Sequence, residues 1–239
     1  MFDKLLDYDK PLNKAPKKTK TKTTVKSKKP QAPKVAPKEP VVAAPAVCPT
    51  CNPLPMREEM RPPGSYLRDN GLLMLVDKFD QEKIMPIVAQ IYEYNLMPDD
   101  MQPEHLTLII NSPGGTIHSA FHLIDAMMMS EIPIVTIGKG LVASCGVLTL
   151  MAGDRRLVTH NTSVMSHQFS WGSRGKEHEL QAIVKEFDMA GSRMIDHYKK
   201  CTKKSETYIR KNLLNPTDAW LSPEECVKHG IVDEVVTTY

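Results

Sequence analysis

From about residue 66 onward, the apolar residues follow two spacings that predict different kinds of element. Short apolar runs at 71–76 (GLLMLV), 106–110 (LTLII) and 132–138 (IPIVTIG) are typical of buried strands. Between these runs, apolar residues recur every three or four positions over QEKIMPIVAQIYEYN and over a segment from about 116 to 130. This second spacing is typical of helices that bury one face.

The same alternation continues to the end of the chain. The apolar run GLVASCGVLTLMAG (140–153) begins another helix, and RRLVT and SVMSHQ predict short strands. A long helix is expected over 176–201, and two short helices and a strand over GIVDEVV close the chain. Strands that alternate with helices predict an α/β fold with mainly parallel pairing.

Residues 1–60 lack this periodicity and are rich in lysine and proline. We expect them to form a disordered tail, with a folded domain over 66–239, because the tail has too little apolar surface to offset its ordering entropy. Residues 1–47 carry 12 lysines and 4 acidic residues, and subtracting their +8 from the total of +3 leaves −5 for the rest. The basic character therefore belongs to the tail, and we expect no nucleic-acid partner.

Other features of the chain bear on its compartment. No apolar stretch is long enough for a membrane span, and the first residues lack the pattern of a secretory signal. The odd count of five cysteines fits a reducing compartment, and Cys48 and Cys51 lack a second ligand pair for zinc. We expect a cytoplasmic protein without a membrane partner, in the host cytoplasm if a phage encodes it, with an organelle stroma or matrix as the alternative.

The stretch NSPGG (111–115) stands where a predicted strand gives way to a helix. Glycines at this point allow close approach of another group, and their N–H groups can bind an anion or an oxyanion at the start of the helix. A tight turn that simply requires glycine explains the same residues. The spacing leaves both interpretations open.

Ser144 also follows a predicted strand and opens a helix. Because ligand sites of α/β folds lie at the carboxyl ends of strands, Ser144 and the NSPGG turn can share one pocket. Ser144 is then a candidate nucleophile, and the N–H of Cys145 a second oxyanion donor. A core serine bonded to its own helix is the alternative, and the Cys145 thiol competes as nucleophile.

A serine nucleophile needs a base and a group that orients the base. His167 ends a predicted strand and is preferred to His160, which lies in a turn-like segment. His118 and His122 have the spacing of metal ligands but lack a third partner, so we expect no metal. No nucleotide-binding glycine motif is present, so no cofactor is expected. The candidate acids stay open: they are Asp154, Asp188, Asp196, Asp218 and Asp233.

Four stretches in order, INSPGG, GLVASCG, VMSHQ and DAWLSPEECVKHGIVDEV, resemble the ClpP family of self-compartmentalised serine peptidases. The resemblance runs from about Leu67 to Val236. It implies a Ser-His-Asp triad of Ser144 as nucleophile, His167 as base and Asp218 as acid. It also implies that the N–H groups of Gly115 and Cys145 form the oxyanion hole.

The family resemblance further implies a crotonase-like spiral of βαβ units with a protruding handle, a strand plus the long helix, near Gly172–Gly175. It implies a serine endopeptidase that cleaves peptides or unfolded proteins inside homo-oligomeric rings, as a heptamer or double heptamer, and an AAA+ unfoldase as partner. Thr217 stands where the family has a basic residue that takes part in ring contacts, and Phe169 stands where it has a proline.

Two other functions remain as alternatives to a ClpP-like peptidase. The first is a catalytically weak ClpP-like subunit with a structural or regulatory role in a mixed complex, which the altered ring-contact region suggests. The second is an acyl-CoA enzyme of the crotonase type, which has no evident use for Ser144, His167 and Asp218 together.

Overall fold

The structure is a computed structural model that describes residues 65–236. The tail expected over 1–60, with Cys48 and Cys51, lies outside the described residues. The helices are α1 (Ser65–Asp69), α2 (Gln81–Asn95), α3 (Ile117–Met129), α4 (Cys145–Met151), α5 (Glu177–Thr202), α6 (Glu206–Asn212) and α7 (Pro223–His229). The strands are β1 (Leu72–Val76), β2 (Leu106–Ser112), β3 (Ile134–Ala143), β4 (Arg155–Thr159), β5 (Ser163–Ser166), β6 (Ala219–Leu221) and β7 (Glu234–Val236).

The strands form one sheet in the order β1-β2-β3-β4-β7, and every neighbouring pair in this path is parallel. The predicted α/β class with mainly parallel pairing is confirmed. β5 leaves this path: it pairs parallel with β3 and antiparallel with β6. None of the helices within residues 65–236 is long and apolar enough to cross a lipid bilayer.

β3 has two successive neighbours on the same side. Its first half, Val135–Gly138, pairs with β4, whereas its second half, Leu141–Ala143, pairs with β5. The sheet therefore splits beside the carboxyl end of β3, and the register with β2 shifts between Ile110 and Ser112. The split opens a gap in which side chains from several strand ends can meet.

The core lies under one face of the sheet. Leu73, Leu75, Leu108 and Ile110 alternate with more exposed positions along β1 and β2, as a one-sided sheet requires. α3 packs between α2 and α4, and α4 packs against β3 and α5. α4 is therefore a fully buried helix, in agreement with its apolar sequence.

Three of the differences between the structure and the predicted elements lie close to the candidate residues. β3 continues to Ala143 rather than ending at 138, because Leu141–Ala143 find a partner in β5. β6 was not predicted, since three residues carry no periodicity of their own. The handle consists of α5 alone: residues 167–176 form no strand, because no described strand of this chain runs beside them.

Candidate active site

Ser144 occupies the one-residue connection between β3 and α4. Its backbone has φ 55° and ψ −117°, a combination that side-chain-bearing residues rarely adopt. The Ser144 N–H donates to the carbonyl of Met165 at 2.9 Å, so pairing with β5 holds the sharp turn in place. The turn places the serine at the carboxyl end of a central strand, half-buried rather than enclosed in the core.

The Pro-Gly-Gly turn, residues 113–115, lies directly against Ser144. A Cβ added to Gly114, which has φ 95°, would stand 2.6 Å from the Ser144 Cβ, closer than real side chains approach. A Cβ on Gly115 would meet the Phe79 backbone oxygen at 2.5 Å. Neither position has room for a side chain, because Ser144 and the Phe79 backbone lie too close. The glycines therefore do more than form a tight turn: they let the turn lie directly against Ser144.

Backbone and side-chain hydrogen bonds fix the conformation of this turn. The Gly114 N–H donates to Ser112 Oγ at 3.1 Å, and the Gly114 carbonyl accepts from the Phe79 N–H at 2.9 Å. Within residues 65–236, the N–H of Gly115 makes no hydrogen bond. Cys145 is the first residue of α4, where N–H groups lack intrahelical partners. The turn and the helix start thus each offer an N–H beside Ser144.

His167 and Asp218 face each other across the β5–β6 pair. Ser166 is paired with Ala219 in the antiparallel register, so the next residues along, His167 and Asp218, come opposite one another. His167 Nδ1 and Asp218 Oδ1 are 3.7 Å apart, slightly beyond hydrogen-bond length. The side chain of His167 is 24% exposed and that of Asp218 57%, so solvent reaches both.

The strand register also brings His167 towards Ser144. Ala143 pairs with Met165, which places the residues after them, Ser144 and Ser166, side by side, with His167 next in sequence. No hydrogen bond joins Ser144 Oγ to His167 in the described chain. The three residues of the expected triad are thus gathered at one point of the sheet, but their side chains are not in hydrogen-bond contact.

The other candidate acids are engaged elsewhere or point to solvent. Asp154 accepts from the Ile134 N–H, Asp233 pairs with Arg156, and Asp196 lies near Lys199. Asp188 is exposed on α5. Among the five candidates, Asp218 is the one whose carboxylate approaches His167, at 3.7 Å.

The Cys145 thiol is poorly suited to act as the nucleophile. It is 4% exposed and donates to the Gly115 carbonyl at 3.2 Å. Burial raises the pKa of Cys145, outweighing the hydrogen bonds that lower it. A thiol is nucleophilic as the thiolate, so its raised pKa favours Ser144 in this competition.

The remaining histidines lie outside this cluster. His160 is exposed in the turn between β4 and β5. His118 Nε2 lies 2.8 Å from Glu186 Oε1. Across residues 65–236, no three His, Cys, Asp or Glu side chains are grouped as a metal ion requires.

Three hydrogen bonds hold the residues on either side of His167, and the sequence did not indicate them. The buried Ser166 Oγ donates to the Leu213 carbonyl at 2.7 Å and contacts the Tyr198 hydroxyl at 2.7 Å. Gln168 Nε2 donates to the Leu214 carbonyl at 2.7 Å. Because the single hydroxyl hydrogen of Ser166 is donated to the Leu213 carbonyl, the Tyr198 hydroxyl is the donor in the contact with Ser166. Both neighbours of His167 are therefore tied to the segment that follows α6, which only the fold brings near.

Aromatic side chains pack the segment that follows His167 in sequence. Phe187 of α5 stacks on Trp171 at 4.1 Å between ring centroids and lies 5.9 Å from Phe169. These rings line one side of a groove of about 470 Å³ next to Gln168. Phe169 thus packs the segment after His167 against α5.

Comparison with known proteins finds similarity to one family. A family model described as Clp protease matches residues 58–239. An ATP-dependent Clp protease proteolytic subunit from Deinococcus radiodurans is 33% identical over 175 residues, which cover 72% of this chain and 83% of that protein. A proteolytic subunit 2 from Thermobifida fusca is 26% identical over 186 residues, covering 77% and 89% respectively. A proteolytic subunit 1 from Protochlamydia amoebophila is 29% identical over 175 residues, covering 72% and 82%.

Proposed function

On the premise that this chain belongs to the Clp protease family and has a peptidase role, we propose that it is a serine endopeptidase with Ser144, His167 and Asp218 as its triad. The observation that carries the proposal is the approach of His167 Nδ1 to Asp218 Oδ1 at 3.7 Å beside the strand end that holds Ser144. The raised pKa of the Cys145 thiol supports serine over cysteine as nucleophile.

In the proposed reaction, Ser144 Oγ attacks a peptide carbonyl while His167 Nε2 accepts the hydroxyl proton. Asp218 orients the imidazole through Nδ1 and balances the positive charge that forms on the ring. The N–H groups of Gly115 and Cys145 donate to the developing oxyanion. His167 then gives its proton to the leaving amine, and a water molecule activated by His167 hydrolyses the acyl-enzyme.

The present distances require one adjustment before this chemistry can run. His167 must move close enough to accept from Ser144 and to donate to Asp218, and solvent reaches the side chains of both His167 and Asp218. We propose that assembly into homo-oligomeric rings, as heptamers or double heptamers, favours the aligned arrangement. Met74 and Val76, 47% and 52% exposed on the outer face of β1, support contacts between subunits.

We further propose that the substrates are peptides and unfolded proteins, and that an AAA+ unfoldase supplies them. The relatives are named as proteolytic subunits of ATP-dependent Clp proteases, which supports both parts. The free thiols of Cys145, Cys201 and Cys226 support action in a reducing compartment such as the cytoplasm.

Hydrolysis of a short fluorogenic peptide by the purified chain tests the proposal. Ser144→Ala is expected to lower turnover by roughly 10⁴- to 10⁶-fold, since triad members act as a unit. Measuring the particle mass of the same samples separates a loss of chemistry from a loss of assembly. Turnover that is unchanged in assembled Ser144→Ala contradicts the proposal.

The open triad geometry favours one second candidate function. His167 Nδ1 and Asp218 Oδ1 are beyond hydrogen-bond length. The residue before Asp218 is the exposed, uncharged Thr217, where the resemblance implies a basic residue. A catalytically weak subunit with a structural or regulatory role in a mixed complex would have these properties. Wild-type rings that hydrolyse no short peptide alone, but that assemble with an active Clp subunit into mixed rings that do, support this second function over the first.

A further inference from the structure

An ion pair links the two helices that flank the candidate site. His118 Nε2 in the first turn of α3 lies 2.8 Å from Glu186 Oε1 in α5, 68 residues later. The two side chains are 61% and 36% exposed. Exposed pairs of this kind contribute little to stability. We therefore ask whether the pair affects the position of the candidate site residues near the two helices.

The α3 end of this ion pair is close to the proposed oxyanion donor. His118 is three residues after Gly115, and α3 starts at Ile117, directly after the Pro-Gly-Gly turn. The turn is fixed to Phe79 by the hydrogen bond from the Thr116 N–H at 2.7 Å. Because only Thr116 separates Gly115 from α3, a displacement of the first turn of α3 acts on the N–H of Gly115 against this hydrogen bond to Phe79.

The α5 end of the ion pair is close to the proposed base. Glu186 precedes Phe187, whose ring packs against Trp171 and Phe169. Phe169 is two residues after His167. A shift of this part of α5 is thus passed to the segment that positions the imidazole.

Beyond this pair, a groove of about 390 Å³ separates α3 from α5, with Phe121 and Asp125 on one wall and Arg193 and His197 on the other. Farther along, Lys200 Nζ of α5 approaches Met128 Sδ of α3 at 3.8 Å. The contact between His118 and Glu186 lies at the end of the groove nearest the candidate site, where it can fix the distance between α3 and α5.

We propose that the His118–Glu186 ion pair is a strap that positions the oxyanion turn relative to the base. This inference rests on the proposed function. His118 and Glu186 are positioning residues, since neither takes part in the chemistry. The strap acts on the transition state, because the distance between the Gly115 N–H and His167 matters most when the oxyanion forms.

The test is peptide hydrolysis by Glu186→Ala and His118→Ala, with kcat and KM measured separately. Both variants are expected to lower kcat by about tenfold and to change KM by less than about twofold, because small misplacements of catalytic groups cost rate rather than ground-state binding. His118→Glu combined with Glu186→Arg restores a pair of opposite charges and is expected to recover most of kcat.

Glu234→Ala is the matched control. It breaks the Arg155–Glu234 pair, which has the same 2.8 Å length and joins β4 to β7 at the far edge of the sheet. Its kcat should equal that of the wild type. In an active enzyme, a kcat of Glu186→Ala equal to that of Glu234→Ala would contradict the strap. A charge-swapped pair that does not recover kcat would contradict it as well. Neither result would count against the triad. If the wild type neither hydrolyses peptides nor reacts at Ser144, the proposed function fails and the strap with it.

Discussion

At the scale of single residues, Ser144 depends on its neighbours being small. Its positive φ is held by the Met165 carbonyl, and Gly114 leaves no space for a further carbon atom beside it. The sequence indicated these positions only through the four stretches that together resemble the ClpP family, because the local pattern also fits a tight turn and a core serine. It left Ser144 and Cys145 in competition, since only burial, which the fold determines, distinguishes a free hydroxyl from an enclosed thiol.

Gly114→Ala is the sharpest substitution at this scale. The new methyl would lie 2.6 Å from the Ser144 Cβ and 2.9 Å from the Ala143 carbonyl, so Ser144 must move or the fold must strain. We expect a loss of about 1–3 kcal/mol in the free energy of unfolding, as for overpacked sites, and a loss of most peptidase activity. Urea unfolding and peptide hydrolysis measure the two effects.

Gly172→Ala is the control for that experiment, because nothing lies within 4 Å of the added carbon. It should retain wild-type stability and turnover. Equal behaviour of the two alanine variants contradicts the close packing of the Pro-Gly-Gly turn against Ser144.

At the scale of elements, the pairing of β5 with β6 brings the acid to the base. The apolar patterns predicted β1, β2 and α5 with little error, because each has enough residues to show a period. They could not predict β6, and they left five aspartates as candidates. Asp218 gains its place from the register of Ser166 with Ala219, a contact between segments 53 positions apart in sequence.

Removing the Tyr198 hydroxyl tests whether α5 stabilises the end of β5. Tyr198→Phe removes the donor to Ser166 Oγ, and its cost should be about 1 kcal/mol of unfolding free energy, as for a single buried hydrogen bond. Because His167 follows Ser166 directly, we also expect a fall in kcat. Thermal unfolding and steady-state kinetics provide the two readouts.

Tyr208→Phe is the comparison variant. The Tyr208 hydroxyl forms a hydrogen bond of 3.0 Å with His229 Nδ1, and neither residue belongs to the triad. It should lower stability by a similar amount and leave kcat unchanged. An equal kcat for the two phenylalanine variants would show that Ser166 does not need the Tyr198 hydroxyl to position His167.

At the scale of the whole molecule, the alternation of strands and helices was sufficient to predict the α/β class. The split of the sheet beside β3 was not predictable, because β3 exchanges one partner for another within ten residues. The missing handle strand has the same origin: a strand requires a neighbour, and within the described residues this chain supplies none. Local periodicity could be read from the sequence, but the pairing between distant segments could not.

His197 makes the stability of the domain depend on pH. Burial lowers its pKa below the ordinary value of 6.5, although the hydrogen bond with the Leu148 carbonyl partly opposes this. A histidine with a lowered folded-state pKa contributes stability that is fully present above 6.5 and is lost as pH falls through the folded-state value. The wild type should therefore lose unfolding free energy as the pH falls below 6.5.

His197→Gln keeps a donor for the Leu148 carbonyl but cannot titrate, so its stability should fall less steeply over the same pH range. Urea unfolding at a series of pH values measures both slopes. The slope of the variant will not vanish, because burial also lowers the pKa of His229. Identical slopes for the two proteins contradict the assignment to His197.

The central claim is that Ser144 is the nucleophile, and labelling with a fluorophosphonate followed by peptide mapping tests it most directly. We predict an adduct on Ser144 in the wild type and in Cys145→Ala, and none in Ser144→Ala. Labelling that persists in Ser144→Ala but disappears in Cys145→Ala would contradict the account and assign the chemistry to the thiol.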